Sequence, residues 1–332
     1  MKVLFIGGNG NISWQCVQQA LNLGYEVYEI NRGATLNTRR KIQSGVYKID
    51  CDVRDVTKMK MLLERTAFDV VCDFICYNGE DAKRDVELFK DHTKQFIYIS
   101  SEAIYERKGA KLPFTEKSKI TLEEKAGDYV KGKIGGEKVF NSAYQKEGFP
   151  ITIVRPGYTY DVIIPNPVGH NCFTASKKYL EGYPILIFGD GQNRWTFTHS
   201  EDFGKAFVGL FGKKKAIGET FQIMAQESYS WNEVADILFD SLKIKNKKVI
   251  HIPYEESLSI NYFQSRDLVE QRLMDSLFDT TKVRKLVPEW NFNISLEEGI
   301  KRAYQWLFED EVRRRINPIY EKNLEELYQK YS

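Results

Sequence analysis

Directly after a five-residue β-rich run, Lys2-Val3-Leu4-Phe5-Ile6, the chain reads Gly7-Gly8-Asn9-Gly10-Asn11-Ile12-Ser13 and enters a helical stretch that stops at Gly24. This order of strand, glycine turn and helix restricts the fold more than any other feature. Glycines there permit a tight turn. They also let backbone N–H groups approach a pyrophosphate at the helix N-terminus. A second β-rich run, Glu26 to Ile30, ends about 20 residues further on, the spacing of a first βαβ unit. Gly7, Gly10, Asn11 and Ile12 are the candidates for the phosphate turn. Ser13 takes the third glycine position and is small enough for close helix–sheet packing.

The alternation continues. Strands are predicted at Tyr47–Cys51, Phe68–Cys76, Gln95–Ser100 and Ile151–Val154. Between them, helices are predicted over Val56–Arg65, Ala82–Phe89 and Tyr129–Gln145, the last with Asp128 as N-cap. Strands separated by helices of this length imply βαβ crossovers and a parallel sheet covered on both faces. The second half has a different character, with most turn residues between 157 and 202. The stretch Glu309–Ser332 carries Arg313-Arg314-Arg315 and reads as a charged surface helix or tail.

The site residues follow from spacing. The second strand ends at Asn31-Arg32, without the acid that usually binds a ribose 2′-hydroxyl. Arg32 suits a 2′-phosphate, which favours NADP(H) and leaves NAD(H) open. Asp52, after the third strand, is placed to meet the adenine amino group. Ser100-Ser101 ends the fifth strand, at the sheet edge where ligands bind in such folds. Tyr129 and Lys133 lie four apart on one helical face. An ammonium beside a phenol lowers its pKa, so Tyr129 is expected to act as acid or base with Ser101 hydrogen-bonding the reacting oxygen.

Several segments together resemble the extended short-chain dehydrogenase/reductases, the NAD-dependent epimerase/dehydratase family. They are GGNGNIS, Cys51-Asp52-Val53-Arg54-Asp55, FIYISSEAIYE, YVKGKIGGE and Arg155-Pro156-Gly157-Tyr158-Thr159-Tyr160-Asp161, with Ser13 and Asp161 as departures. Later segments, TFQIMAQESYSWNEVADIL and NFNISLEEGIKRAYQWL, extend the resemblance to about residue 310. It implies an α/β fold: a Rossmann-type doubly wound parallel sheet over 1–160, to which later segments can return. A smaller C-terminal α/β substrate domain would cover 161–310, followed by the charged helix or tail, 311–332. It also implies a Ser101–Tyr129–Lys133 triad, Val53 and Pro156 beside the cofactor, a nucleotide-sugar substrate and a homodimer. Glu102, Asn166, His170 and Arg194 are the substrate candidates. The interval from Arg194 to Asp202 is one residue longer than the family pattern, which leaves Trp195 or His199 as alternatives for the diphosphate contact.

Within the family three chemistries compete. A 4,6-dehydratase carries an acid and a base after the serine; Glu102 can be the acid, but Ala103 cannot be the base. Arg32 tilts the choice between 4-ketoreductase and 4-epimerase toward the reductase. The segment FDVVCDFICYNGEDAKRDVELF also resembles a branch that includes chloroplast stem-loop RNA-binding proteins. Against RNA, Lys plus Arg is 48 and Asp plus Glu 46, a net charge of +2, where tight RNA binding calls for a basic surface. Five scattered cysteines and four histidines without ligand spacing argue for reduced buried thiols and no metal. No run approaches the length of a membrane span, and no signal peptide is read at the start, which makes a cytoplasmic enzyme without membrane partners the expectation.

Overall fold

The computed structural model describes residues 1–31, 40–169, 172–260 and 266–331. In chain order the strands are β1 (Lys2–Ile6), β2 (Glu26–Asn31), β3 (Tyr47–Asp50), β4 (Val70–Asp73), β5 (Phe96–Ile99), β6 (Ile151–Pro156), β7 (Tyr158–Tyr160), β8 (Ile185–Phe188), β9 (Arg194–His199), β10 (Thr220–Ile223), β11 (Ser228–Ser230) and β12 (Val249–Ile252). The helices that position the site are α1 (Ser13–Asn22), α2 (Val56–Leu63), α3 (Gly79–Phe89) and α4 (Asp128–Glu147). The chain divides into two compact units, each built from three chain segments.

The first unit comprises Met1–Gly157, Ser200–Met224 and Asp279–Asn291. Among the described residues its sheet has seven strands in the order β10-β6-β5-β4-β1-β2-β3. Every pairing is parallel, with Ile6 level with Ile30 on one side and Asp73 on the other. This is a doubly wound α/β sheet. Its central strands are apolar on both faces because helices cover both: Val3, Leu4, Phe5 and Ile6 are all fully buried. Leu4, Ile6, Val71, Phe96 and Tyr98 form one core with Phe140 of α4 and Phe149. The strand order reverses between β1 and β4, so a crevice opens beyond their C-terminal ends.

Two departures from the sequence expectation lie beside the crevice, and a smaller one is that α3 begins at Gly79, ahead of Ala82. The fourth strand stops at Asp73 instead of continuing to Cys76. The Asp73 carboxylate accepts the N–H groups of Ile75 and Cys76 at 2.6 and 2.9 Å and turns the chain out of the sheet. Helix α4 starts at Asp128 itself, with Gly127 as an N-cap that has no side-chain bond.

The second unit comprises Tyr158–His199, Ala225–Phe278 and Phe292–Ser332. Its described strands form a three-stranded sheet, β11-β9-β7, and a parallel pair, β12-β8. Its core gathers Trp195, Phe197, Trp231, Leu238 and Leu307. The end of the chain is part of that core. Helix Pro318–Tyr331 buries Tyr320, Leu324, Leu327 and Tyr328, and Arg313 lies over the Trp306 ring at 4.5 Å. The segment expected as a surface helix or tail is therefore amphipathic and packed. Among the described residues no helix is long and apolar enough to cross a membrane.

Candidate active site

The turn after β1 forms one wall of a cavity of about 610 Å³ in the first unit. Gly7 has φ +78°, and a Cβ there would come within 2.6 Å of Ile75 Cγ2, so only glycine fits. Ser13, the departure from the glycine pattern, has a task of its own. Its Oγ donates to the Gly7 carbonyl at 2.7 Å and accepts the Gly10 N–H at 2.8 Å, latching the turn closed. Gly7, Gly10, Asn11 and Ile12 line the cavity, as do Asn31, Val53, Tyr129, Lys133 and Pro156. Asp52 is occupied locally, accepting the Arg54 N–H at 3.0 Å. Arg32 lies outside the described residues. Glu29, not among the sequence candidates, is buried in the same wall and hydrogen-bonded by the Asn31 side chain. Burial pushes its carboxyl above the usual range. Strand alternation puts residues 29 and 31 on one face, a signal available from sequence.

The other end of the cavity holds the candidate catalytic residues. Ser101 follows β5 and caps a short turn, its Oγ accepting the Ala103 N–H at 3.2 Å. A further hydrogen bond joins it to Tyr129. Ser100 donates to Glu137 Oε1 at 2.6 Å, and Glu137 is gripped by Arg155 at 2.8 and 2.6 Å, which fixes the strand end against α4. Tyr129 is 52% exposed overall. Its phenol is nevertheless raised, first by desolvation, with the Ser101 bond pulling down and Glu102 and Tyr77 pushing up. This reverses the expectation that Lys133 lowers it.

The reason is where Lys133 points. It is 3% exposed, and its Nζ donates to the carbonyls of Cys76 and Ile99 at 2.8 and 2.7 Å. Around it stand the rings of Tyr77, Tyr98 and Tyr129, at 5.1, 5.2 and 5.9 Å from ammonium to centroid. Burial lowers the ammonium to about 8, against the opposing pull of the Asp73, Asp81 and Glu137 carboxyl groups. Between the tyrosine and the lysine, Gly132 is forced: a Cβ there would sit 2.1 Å from the Tyr77 carbonyl oxygen. Tyr77, unforeseen from sequence, also lines the cavity.

The remaining candidates are placed as follows. Glu102 is buried and ion-paired with Arg107. Asn166 is 2% exposed in the second unit; its amide bonds Tyr179 and the Val168 N–H at 2.9 and 3.0 Å, a structural use. His170 lies outside the described residues. Arg194 is half-exposed in the second unit and donates to Ser228 Oγ at 3.1 Å and Glu233 Oε2 at 3.2 Å. Trp195 is buried, and His199 lies 3.9 Å from Asp161, also buried. Among the described residues no group of three or more His, Cys, Asp or Glu is arranged to hold a metal ion. Cys16, Cys51, Cys72 and Cys76 are free and buried.

A family model described as the NAD dependent epimerase/dehydratase family matches residues 3–223. The chain is 25% identical over 317 residues to the chloroplast stem-loop binding protein of 41 kDa b of Arabidopsis thaliana, covering 91% of this chain and 78% of that protein. It is 30% identical over 169 residues to an uncharacterized UDP-glucose epimerase of Bacillus subtilis, with 50% of this chain and 51% of that one aligned. The alignment thus spans about half the length of that bacterial relative. A UDP-glucuronate 4-epimerase of Thermodesulfobacterium geofontis is 26% identical over 229 residues, 67% of this chain and 62% of that one. Among solved structures, UDP-glucuronic acid 4-epimerase from Bacillus cereus in complex with NAD superposes with a TM-score of 0.73 at 22% identity, over 93% of this chain and 99% of that one. That likeness establishes the Rossmann-type fold.

Proposed function

The chain belongs to the NAD-dependent epimerase/dehydratase family, and we propose that it transfers hydride at a hydroxyl-bearing carbon of a nucleotide sugar. One observation carries the reading: Tyr129, bonded to Ser101, and Lys133 line the same cavity as the glycine turn. The cavity fits a dinucleotide. The turn presents backbone where no Cβ is tolerated at Gly7, and α1 starts directly behind it. When bound, the nicotinamide supplies the hydride acceptor or donor. The protein's own part is proton handling. The phenol of Tyr129, raised by burial, donates its proton to a carbonyl oxygen in reduction, and its phenolate form takes the hydroxyl proton in oxidation. Ser101 orients that phenol, and the Lys133 ammonium supplies positive charge on the same helical face.

For the cofactor we favour NAD(H). Arg32, the residue that favours NADP(H), lies outside the described residues, whereas Glu29 in the described wall is a carboxyl that suits a ribose hydroxyl better than an added phosphate. The same step moves the reaction from 4-ketoreductase toward 4-epimerase chemistry, which the names of two relatives support. Dehydration is disfavoured because Ala103 offers no base and Glu102 is tied to Arg107. Arg194 is the proposed diphosphate contact, exchanging Glu233 for the ligand. Calorimetric titration with NAD(H) and NADP(H), followed by incubation with UDP-glucose and UDP-glucuronate and chromatography of the products, tests the reading. Tighter binding of NAD(H) and formation of a 4-epimer are expected. Tighter NADP(H) binding would restore the ketoreductase, and no conversion of any nucleotide sugar would overturn the enzyme assignment.

A second reading has one observation behind it: the relative aligned over 91% of the chain is named for stem-loop binding. Ser101, Tyr129 and Lys133 standing together, and the net charge of +2, weigh against RNA as the main ligand.

A further inference from the structure

Behind Lys133 lies a buried cluster that the reaction does not use directly. It is built on the turn between β4 and α3. Asp73, the last residue of β4, is fully buried, and its Oδ1 binds the N–H groups of Ile75 and Cys76 at 2.6 and 2.9 Å. The carbonyl of that same Cys76 receives the Lys133 ammonium at 2.8 Å. One residue on, the Tyr77 N–H donates to Asp81 Oδ2 at 3.0 Å, and the Tyr77 carbonyl rests in the notch left by Gly132. The turn is therefore held from behind by carboxylates and pressed in front against α4.

The carboxylates share one guanidinium. Arg84 donates to Asp85 Oδ1 at 2.9 and 2.7 Å and to Asp81 Oδ1 at 2.9 Å, and lies 3.7 Å from Asp73 Oδ2. That leaves Asp73 Oδ2 and Asp85 Oδ2 both buried without a donor. Two buried carboxyl groups in contact relieve this by sharing a proton. Burial raises both, and Asp85 more, so Asp85 is the acid that donates and Asp73 the carboxylate that accepts.

We propose that Asp73 is a positioning residue for Lys133: its carboxylate, capped by the protonated Asp85, sets the Cys76 carbonyl that seats the ammonium and supplies negative charge that keeps the lysine protonated. The other groups facing Lys133 are Cys76 and Tyr77 from the turn, Asp81 from α3, Tyr98 from β5, and Tyr129 and Glu137 from α4. Cys76 is a neutral thiol, pushed up by burial, and Glu137 is neutralised by Arg155. Asp81 is drawn to Arg84 as well. Asp73 is thus the carboxylate whose backbone bonds lead to the lysine's own acceptor.

This rests on the reading of Lys133 as part of the dinucleotide site, and the test separates the two. NAD affinity of the full-length protein is measured by calorimetry from pH 6 to 10 for the wild type, Lys133→Met, Asp73→Asn and Asp85→Asn. Wild-type affinity is expected to weaken as the pH passes about 8, where Lys133 loses its charge. Lys133→Met should show weaker binding with no such step. Asp73→Asn should move the midpoint down by about one pH unit, the scale for removing one nearby opposite charge. Asp85→Asn keeps a neutral donor on Asp73 and should leave the midpoint in place.

If Lys133→Met abolishes the step but Asp73→Asn leaves the midpoint within about 0.3 of wild type, the role of Asp73 is overturned while the reading of Lys133 stands. If Lys133→Met keeps the wild-type step, the reading of Lys133 fails and the proposal falls with it. Should Asp73→Asn not fold, Asp85→Asn decides: an unchanged midpoint supports the neutral cap, and a downward move of a whole unit overturns it.

Discussion

At the scale of single residues, proton transfer and charge burial make separate demands. Tyr129→Phe removes the transferable proton and leaves the ring in place. Turnover of a nucleotide sugar should fall by about 10²-fold or more, with NAD affinity within about twofold of wild type because the cofactor's wall is intact; parallel kinetics and calorimetry check both. Lys133 carries a stability cost that has a pH signature. Its ammonium titrates at about 8 in the folded chain, below its ordinary value of 10.5. Between those values the unfolded chain binds the proton more tightly, so stability rises with pH across that window. Relative to Lys133→Met, the wild type should gain about 3 kcal/mol between pH 7.5 and 10.5, read from urea denaturation of both proteins at each pH. A difference that stays flat across the window would mean that the folded chain holds the ammonium at its ordinary value, charged throughout, and that burial does not lower it. That Tyr129 and Lys133 share one wall, with Ser101 beside the phenol, was legible in residue types and spacing. The direction of the Tyr129 shift was not, because four-residue spacing says that two side chains share a face but not what else each one bonds. Lys133 turns to the Cys76 and Ile99 carbonyls, and desolvation decides the phenol.

At the scale of elements, the connection from β4 to α3 carries both the Cys76 carbonyl that receives Lys133 and the Tyr77 ring that lines the cavity. Helix α3 begins at an N-cap, Asn78, whose Oδ1 accepts the N–H groups of Glu80 and Asp81 at 2.9 Å each. The cap fixes where Asp81 and Arg84 rise behind the turn. Asn78→Ala should cost about 1 kcal/mol of stability by the usual worth of such caps, measured as a shift of the urea midpoint with unchanged slope. Apolar character from Phe68 to Cys76 reads in sequence as one long strand with Cys72 and Cys76 on the same face. The strand ends at Asp73 because its carboxylate offers the next N–H groups a better partner than the sheet does. Ser13 follows the same rule. Its hydroxyl does with two hydrogen bonds what a third glycine does by absence of a side chain. Side-chain-to-backbone bonds of this kind compete with regular ladders locally; the sequence shows the competing residue and the structure shows which bond forms.

At the scale of the whole molecule, ligand linkage separates the enzyme from the RNA-binding reading. NAD at about 100 times its dissociation constant should stabilise the protein by about 2.7 kcal/mol, seen as a raised melting temperature. A structured RNA should bind weakly and lose its grip between low and physiological salt, because a chain of net charge +2 makes few phosphate contacts. Tight, salt-resistant RNA binding without a response to NAD would reverse the assignment. The parallel sheet, the glycine turn and the Ser101–Tyr129–Lys133 set were determined by the sequence alone, since each depends on local periodicity, on a residue that alone fits a backbone conformation, or on a fixed interval along a helix. The composition of the two units was decided by tertiary structure. Residues 200–224 and 279–291 return to the first unit, and the charged chain end folds its apolar stripe into the second. The use of Glu29, Tyr77 and the Asp73–Asp85 pair was decided there too. What these have in common is burial: whether a carboxyl or a phenol is desolvated, and by which neighbours, depends on residues distant in the chain that only the packed fold brings together.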